Sequence, residues 1–337
     1  MSSVPLRSDY SFEMDPRLTT IPEVDVDLPL ARRILARLEP PIEPVAIERV
    51  EHGGASGAIY FVATASESDL VVKVYPREPW WRMAKEFYVA GLMARAGGVL
   101  SPRFLSADDS GQLLPFRYAV MTRLAGEPLA LCERQMDEGQ IVEIWSQAGA
   151  QLRRIHDIPM VAFGYIADGR LTLRSSSNRA YIDRAWQMKL AQFRERGGEE
   201  AVARAMEDKW SARRDLLDQC AAPKLCHYDF HPGNLLALYD GQAWRLSGVL
   251  DFEDSLAADP LLDIAKCVHV ARVGDHARWR GLLAGYGRID RPDWQASVEL
   301  YRLYQAVEYW NWIAFLNRPE AERASVLAGI RDIIDML

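Results

Sequence analysis

The sequence predicts an α+β fold in two lobes: an N-terminal antiparallel sheet lobe with a helix, then a larger, mainly helical C-terminal lobe. Three observations carry this expectation. Between residues 45 and 121 apolar and polar positions alternate in short runs broken by polar or glycine-rich turns, the period-2 pattern of strands. Beyond residue 124 the apolar spacing changes to three and four, the helical period. The 337 residues suffice for two such lobes, each with a core. The expected organisation is 1–44 as an N-terminal arm and helix, 45–124 as the sheet lobe and 125–337 as the helical lobe.

In chain order, residues 1–27 read as a polar, acidic arm. Leu28 to Leu38 has helical spacing and stops at Pro40-Pro41. Val45 to Val50 and Ile59 to Val62 read as strands joined by a glycine-rich turn that holds Gly53, Gly54, Ser56 and Gly57. On the next strand, Leu70 to Tyr75, alternation places Lys73 on one face with Val71 and Tyr75. Pro79 opens a helix that runs to about Ala96, with Glu86 beside its apolar stripe. Two strands, Pro102 to Ala107 and Phe116 to Met121, complete the sheet, and Leu124 to Leu129 is a connector. Helices are expected at Glu138–His156, Ser177–Glu195, Glu199–Cys220, from Asp259 to Ala271, His276–Tyr286, Pro292–Leu316 and Pro319–Leu337.

A net charge of −7 argues against nucleic acid as a partner. No apolar run reaches membrane-spanning length, and the N-terminus lacks a signal-peptide core. Cys132, Cys220, Cys226 and Cys267 are scattered, which fits a reducing cytoplasm rather than a disulfide framework or a zinc site. The oligomeric state stays open.

The chemistry concentrates in Leu225 to Leu236, L-C-H-Y-D-F-H-P-G-N-L-L, and in the acidic run V-L-D-F-E-D that follows. Leu235–Tyr239 and Ala243–Leu250 read as a hairpin around Asp240-Gly241. Positions equidistant from the turn face each other, so Asn234 and Asp251 should emerge side by side, about 5 Å apart. An amide oxygen and a carboxylate there suit a magnesium ion shared with phosphate oxygens. Asp229 enters the same hairpin end and can orient a hydroxyl and accept its proton. His227 and His231 read as loop scaffold. The glycine turn can bring backbone N–H groups to a polyphosphate. Lys73 would neutralise it, held by Glu86. An acceptor would bind in the helical lobe, where Glu253, Asp254, Glu308 and Trp312 are candidate lining residues. Most aromatics of the Pro292–Leu316 helix read as core.

This ordered set resembles the protein-kinase-like superfamily, specifically the aminoglycoside phosphotransferase family. The resemblance covers about residues 45–270 and is carried by L-C-H-Y-D-F-H-P-G-N, by V-L-D-F-E-D with A-D-P-L-L-D-I-A, and by L-R-R-I-H. It implies a bilobal protein-kinase-like fold that transfers the terminal phosphoryl group of ATP or GTP to a small-molecule hydroxyl. An aminoglycoside-like or other antibiotic natural product is the leading acceptor, and a metabolic small molecule such as choline, homoserine, methylthioribose or a sugar is the alternative; a non-catalytic nucleotide-binding module is the remaining reading, which the intact set of Lys73, Glu86, Asp229, Asn234 and Asp251 disfavours. It implies Asp229 as catalytic residue, Asn234 and Asp251 as Mg2+ ligands, and Lys73 with Glu86 on the inner phosphates. Met121, Thr122 and Leu124 would belong to the linker that pairs with the purine. Asp259, Asp263 and His156 would be structural. Two departures separate the chain from protein kinases: Tyr228 and His231 stand where those enzymes usually carry Arg and Lys, and the chain runs from Asp251 almost directly into the Asp259 helix.

Overall fold

The computed structural model describes residues 22–50, 57–65, 68–77, 79–167, 170–171, 174–270 and 276–337. Helix α1 (Leu28–Leu35) starts at Asp27, whose carboxylate accepts the Leu30 N–H at 2.8 Å. The strands β1 (Pro44–Arg49), β2 (Ala58–Thr64) and β3 (Leu70–Val74) follow, then helix α2 (Arg82–Ala96), β4 (Phe104–Asp108) and β5 (Tyr118–Thr122). The strands form an antiparallel sheet in the order β1-β2-β3-β5-β4.

Strand alternation gives this sheet two apolar faces. Tyr60, Val62, Leu70, Val72 and Val74 pack with Ala31, Ile34 and Leu35 of α1. Val71, Tyr75, Ala119 and Met121 pack on the opposite face with Met83 of α2. Lys73 follows Val71 and Tyr75 onto the α2 face, as the period-2 pattern requires.

The C-lobe begins with β6 (Glu127–Pro128) and the short α3 (Leu129–Cys132). Helix α4 (Glu138–His156) carries a capping box between Asp137 and Gln140. Then come β7 (Gly164–Ala167), β8 (Arg170–Leu171), α5 (Asn178–Glu195), α6 (Glu200–Arg213), β9 (Lys224–Cys226), β10 (Leu235–Tyr239), β11 (Trp244–Val249) and β12 (Leu256–Ala258). The chain ends in α7 (Leu261–Val270), α8 (His276–Tyr286), α9 (Trp294–Phe315) and α10 (Glu320–Met336). A single apolar core joins α2, α4, α5, α6, α7, α9 and α10. Among the described residues no helix is long and apolar enough to cross a membrane.

Three expectations shift locally. The segment from Pro79 to Trp81 is a turn, and α2 begins only at Arg82. The connector from Leu124 to Leu129 contains β6, which pairs with β10 and so ties the link between the lobes to the β10–β11 hairpin. The helix expected over Glu199–Cys220 tightens to a 3-10 turn from Arg214 onward.

Candidate active site

The loop after β9 is held from α7. Both carboxylate oxygens of Asp263 accept backbone N–H groups, His227 at 2.7 Å and Tyr228 at 2.7 Å. Asp263 also accepts from His156 Nε2 at 2.9 Å, and His156 Nδ1 in turn accepts from the Tyr286 hydroxyl at 2.9 Å. Tyr228 sits at φ 71°, a left-handed conformation that costs a non-glycine residue about 1–3 kcal/mol. The paired bonds to Asp263 hold it there. His227 acts as the expected scaffold: its Nδ1 accepts the Asp229 N–H at 3.3 Å, and its Nε2 donates to the Leu250 carbonyl at 2.9 Å. Burial pushes the His227 imidazole down in pKa, which favours this neutral, bridging form.

Asp229 lies at the focus of this loop. Its Oδ1 is 3.0 Å from Lys266 Nζ. Its Oδ2 faces His231 Nε2 at 3.2 Å and accepts from Asn234 Nδ2 at 3.0 Å. The Gly233 N–H donates to His231 Nδ1 at 3.0 Å, so His231 presents its Nε2–H to Asp229. His231 therefore does more than shape the loop as expected, because it touches the carboxylate directly. Burial alone would raise the Asp229 pKa, but His231 and Lys266 outweigh it and hold the carboxyl well below the usual carboxylate range.

The hairpin differs from expectation by one residue. Leu235 pairs with Val249, and the Leu250 N–H donates to the Asn234 carbonyl at 2.8 Å. Asn234 thus faces Leu250, and Asp251 comes one position later. The cause is the centre of the turn: Tyr239 pairs with Trp244, which alone would set Asn234 opposite Val249, and a bulge between Leu236 and Ala237 moves it one position on, to Leu250. Asp251 then turns back at φ 62°. Its Oδ1 is buried and has no hydrogen-bond partner among the described residues. Both Asn234 amide hydrogens point at Asp229, to its carbonyl and its carboxylate, which frees the Asn234 Oδ1 as a donor atom. A buried carboxylate oxygen that accepts no hydrogen bond and a free amide oxygen fit a hard divalent cation.

Lys73 binds Glu86 through both carboxylate oxygens, at 2.9 and 3.0 Å. The Tyr75 hydroxyl also donates to Glu86. Lys73 Nζ lies 3.8 Å from Asp251 and 3.7 Å from Glu253. Burial opposes the Lys73 charge, but Glu86, Asp251 and Glu253 together keep the ammonium firmly protonated. Burial and the Glu253 charge push Asp251 well above the usual carboxylate range. Glu86, Asp251 and Glu253 can all direct carboxylate oxygens to one point.

Residues 47–300 match the model of the phosphotransferase enzyme family APH, well over half of the chain. The chain belongs to this family. The phosphotransferase is 14% identical to a thermostable mutant of the aminoglycoside phosphotransferase APH(4)-Ia, solved with ADP and hygromycin B. That alignment has a TM-score of 0.68 and covers 92% of this chain and 98% of that one. It is 20% identical to the macrolide 2'-phosphotransferase MphH from Brachybacterium faecium, with a TM-score of 0.61 over 90% and 97% of the two chains. A proposed fructosamine-3-kinase from Thermobifida fusca is 19% identical, with a TM-score of 0.64 over 90% and 98%. These likenesses establish the bilobal kinase-like fold. No curated protein sequence matches the chain.

Other expected site residues of the phosphotransferase fall in different surroundings. Gly53, Gly54 and Ser56 lie outside the described residues. Gly57 backs onto β3 so closely that a Cβ would meet the Val74 carbonyl oxygen at 2.6 Å, which only glycine allows. Met121 is buried in the sheet core. The N–H groups of Thr122 and Arg123 are taken by Arg103 and Asp69, whereas the Leu124 N–H has no partner among the described residues. Glu253, expected at the acceptor, lies between Lys73 and Arg82, 3.7 and 3.8 Å from them. Asp254 is pushed up to about 6 by burial and Glu253, against the pull of Lys85. Glu308 accepts from the Tyr228 hydroxyl and pairs with Lys189 at 2.8 Å. Trp312 is half-buried and stacks on Phe315, while Tyr301, Tyr304 and Trp310 are core as expected.

Sequence reasoning missed Lys266, Lys189 and Arg291. Lys266 lies three positions after Asp263 on α7, so both face the loop; that spacing was the available signal. Arg291 clamps the buried Asp259 with two bonds, at 2.6 and 2.8 Å, and Asp259 also accepts the Leu261 N–H at the start of α7. Cys226, beside His227, is buried, and burial pushes its thiol well up, which makes it an inert core residue.

Proposed function

We propose that this phosphotransferase moves the terminal phosphoryl group of ATP, or of GTP, to a hydroxyl of a small natural product. The observation that carries the reading is the convergence of Asp229, Asn234, Asp251 and the Lys73–Glu86 pair at one end of the β10–β11 hairpin. Lys73 neutralises inner phosphate charge, and Glu86 fixes where its ammonium stands. The open Leu124 N–H supports the linker from Met121 to Leu124 as the purine edge. Asn234 and Asp251 would hold magnesium, which supplies neutralisation of the phosphate oxygens when bound. Asp229, kept ionised by Lys266 and His231, orients the acceptor hydroxyl and takes its proton.

Catalysis on this reading is mostly positioning and charge neutralisation. An antibiotic natural product is the leading acceptor class, in keeping with the aminoglycoside and macrolide phosphotransferases that share the fold. We place the enzyme in the cytoplasm, where its four unpaired, buried cysteines stay reduced. The test is ADP release in the presence of Mg·ATP and a panel of hydroxylated acceptors. Acceptor-dependent release that disappears with EDTA supports the reading. Release that no acceptor stimulates would refute it.

A further inference from the structure

This inference rests on the phosphotransfer reading and concerns the acceptor. A site that selects a polycation needs carboxylates free to receive ammonium groups. Beside Asp229 the chain supplies those ammonium groups itself. Lys266 Nζ sits 3.0 Å from Asp229. Glu308, joined to the loop by the Tyr228 hydroxyl, carries Lys189 at 2.8 Å. The Lys189 side chain is 6% exposed, and its ammonium also lies 4.8 Å from the centre of the Tyr304 ring. An ammonium held between a carboxylate and an aromatic face is retained, because removing it strands a buried charge.

A further cation faces the same region. Lys85 is fully buried over the Tyr165 ring at 3.9 Å, and its Nζ makes no hydrogen bond among the described residues. Burial lowers the Lys85 ammonium to about 7, against the pull of Asp254 and Glu253. Asp229 and Glu308 are thus each matched by a lysine of this chain. What Glu308 and its neighbours on α9 still offer is hydrogen-bonding capacity and an aromatic side chain. The Glu308 carboxylate is 25% exposed. Trp312, one helical turn further along α9, shares its face and is half-buried. Carboxylate oxygens beside an indole suit the hydroxyls and the apolar ring face of a sugar.

We propose that the acceptor is a neutral sugar or glycoside without a cluster of ammonium groups, and that Lys189 and Lys266 set this charge preference. The full chain with Mg·ATP would be assayed by ADP release. The acceptors are kanamycin and streptomycin as polycations, and D-ribose, D-fructose and a series of neutral glycosides. The expected result is a neutral acceptor whose kcat/KM exceeds that of either polycation by about tenfold or more. A polycation preferred over every neutral compound overturns the inference and leaves phosphotransfer standing. If nothing is phosphorylated, the phosphotransfer reading fails, and calorimetry still decides the charge of the site. Kanamycin titrated into the chain with Mg·AMP-PNP should show no saturable binding below about 1 mM. Saturable binding tighter than that, abolished by Glu308→Gln, overturns the inference. Lys189→Met, checked for its fold by circular dichroism, should expose Glu308 and tighten kanamycin binding about tenfold. A folded Lys189→Met with unchanged kanamycin binding also overturns it. If that variant does not fold, the wild-type titration decides alone.

Discussion

Asp229 gathers Lys266, His231 and Asn234 around one carboxylate, and each contact removes a competing position for it. A carboxylate fixed in this way serves proton transfer better than a mobile one. Asp229→Ala should cut kcat by about 10²–10⁴-fold while the far-ultraviolet spectrum and melting temperature stay close to wild type. Glu86→Ala tests the other half of the site. With both bonds to Lys73 lost, the KM for nucleotide should rise about tenfold while the KM for acceptor stays within about twofold. At this scale the sequence was legible wherever function sits in a contiguous stretch: Asp229, Asn234 and the histidines all lie in one twelve-residue run, Leu225 to Leu236. It was not legible for Lys266 and Lys189. Their partners are distant in sequence, and a lysine within a helix reads by default as a solvated side chain.

At the scale of elements, α7 and α4 position the loop rather than take part in it. Asp263 and His156 are buried, and together they fix two loop N–H groups. Asp259 anchors the start of α7 through Arg291, and Arg291→Ala would leave a buried carboxylate unpaired. That should cost about 3–5 kcal/mol, read as a lowered midpoint in urea unfolding. Helices α4 and α8 approach through glycines: a Cβ on Gly285 would stand 1.7 Å from the Ser146 carbonyl oxygen. Gly285→Ala should therefore lower stability by about 1–3 kcal/mol through forced separation of the two helices, although alanine favours helix. A variant as stable as wild type would show that the helices can part freely. Helix positions were well read from periodicity, with Glu138–His156 and His276–Tyr286 matching to the residue. The hairpin register was not, because Asp240-Gly241 marks that the chain turns there but not which residues pair across it, and Tyr239 facing Trp244 centres the turn earlier than Asn234 facing Asp251 requires.

Across the whole molecule, two lobes meet where the linker, the hairpin and α2 converge. The strand β6 pairs with β10, Leu124 packs against Gly248 of β11, and Lys73 of the N-lobe reaches towards Asp251 of the C-lobe. Acids from both lobes crowd round Lys73, and one buried oxygen of Asp251 accepts no hydrogen bond among the described residues. On the proposed reading a divalent cation with a nucleotide would offset this crowding of acids, so ligand binding should stabilise the whole fold. The two-lobe architecture was legible because the apolar period changes from two to three and four near residue 124. The placement of Glu253 was not, since only the fold brings Arg82 of α2 against it. The most direct test is calorimetric titration of Mg·AMP-PNP into wild type, Asp229→Asn and Asp251→Asn, with acceptor phosphorylation measured in parallel. The account expects wild type and Asp229→Asn to bind alike and only the former to transfer, while Asp251→Asn loses magnesium-dependent binding by about tenfold or more. Near-wild-type transfer by Asp229→Asn, or unchanged magnesium dependence in Asp251→Asn, would contradict it.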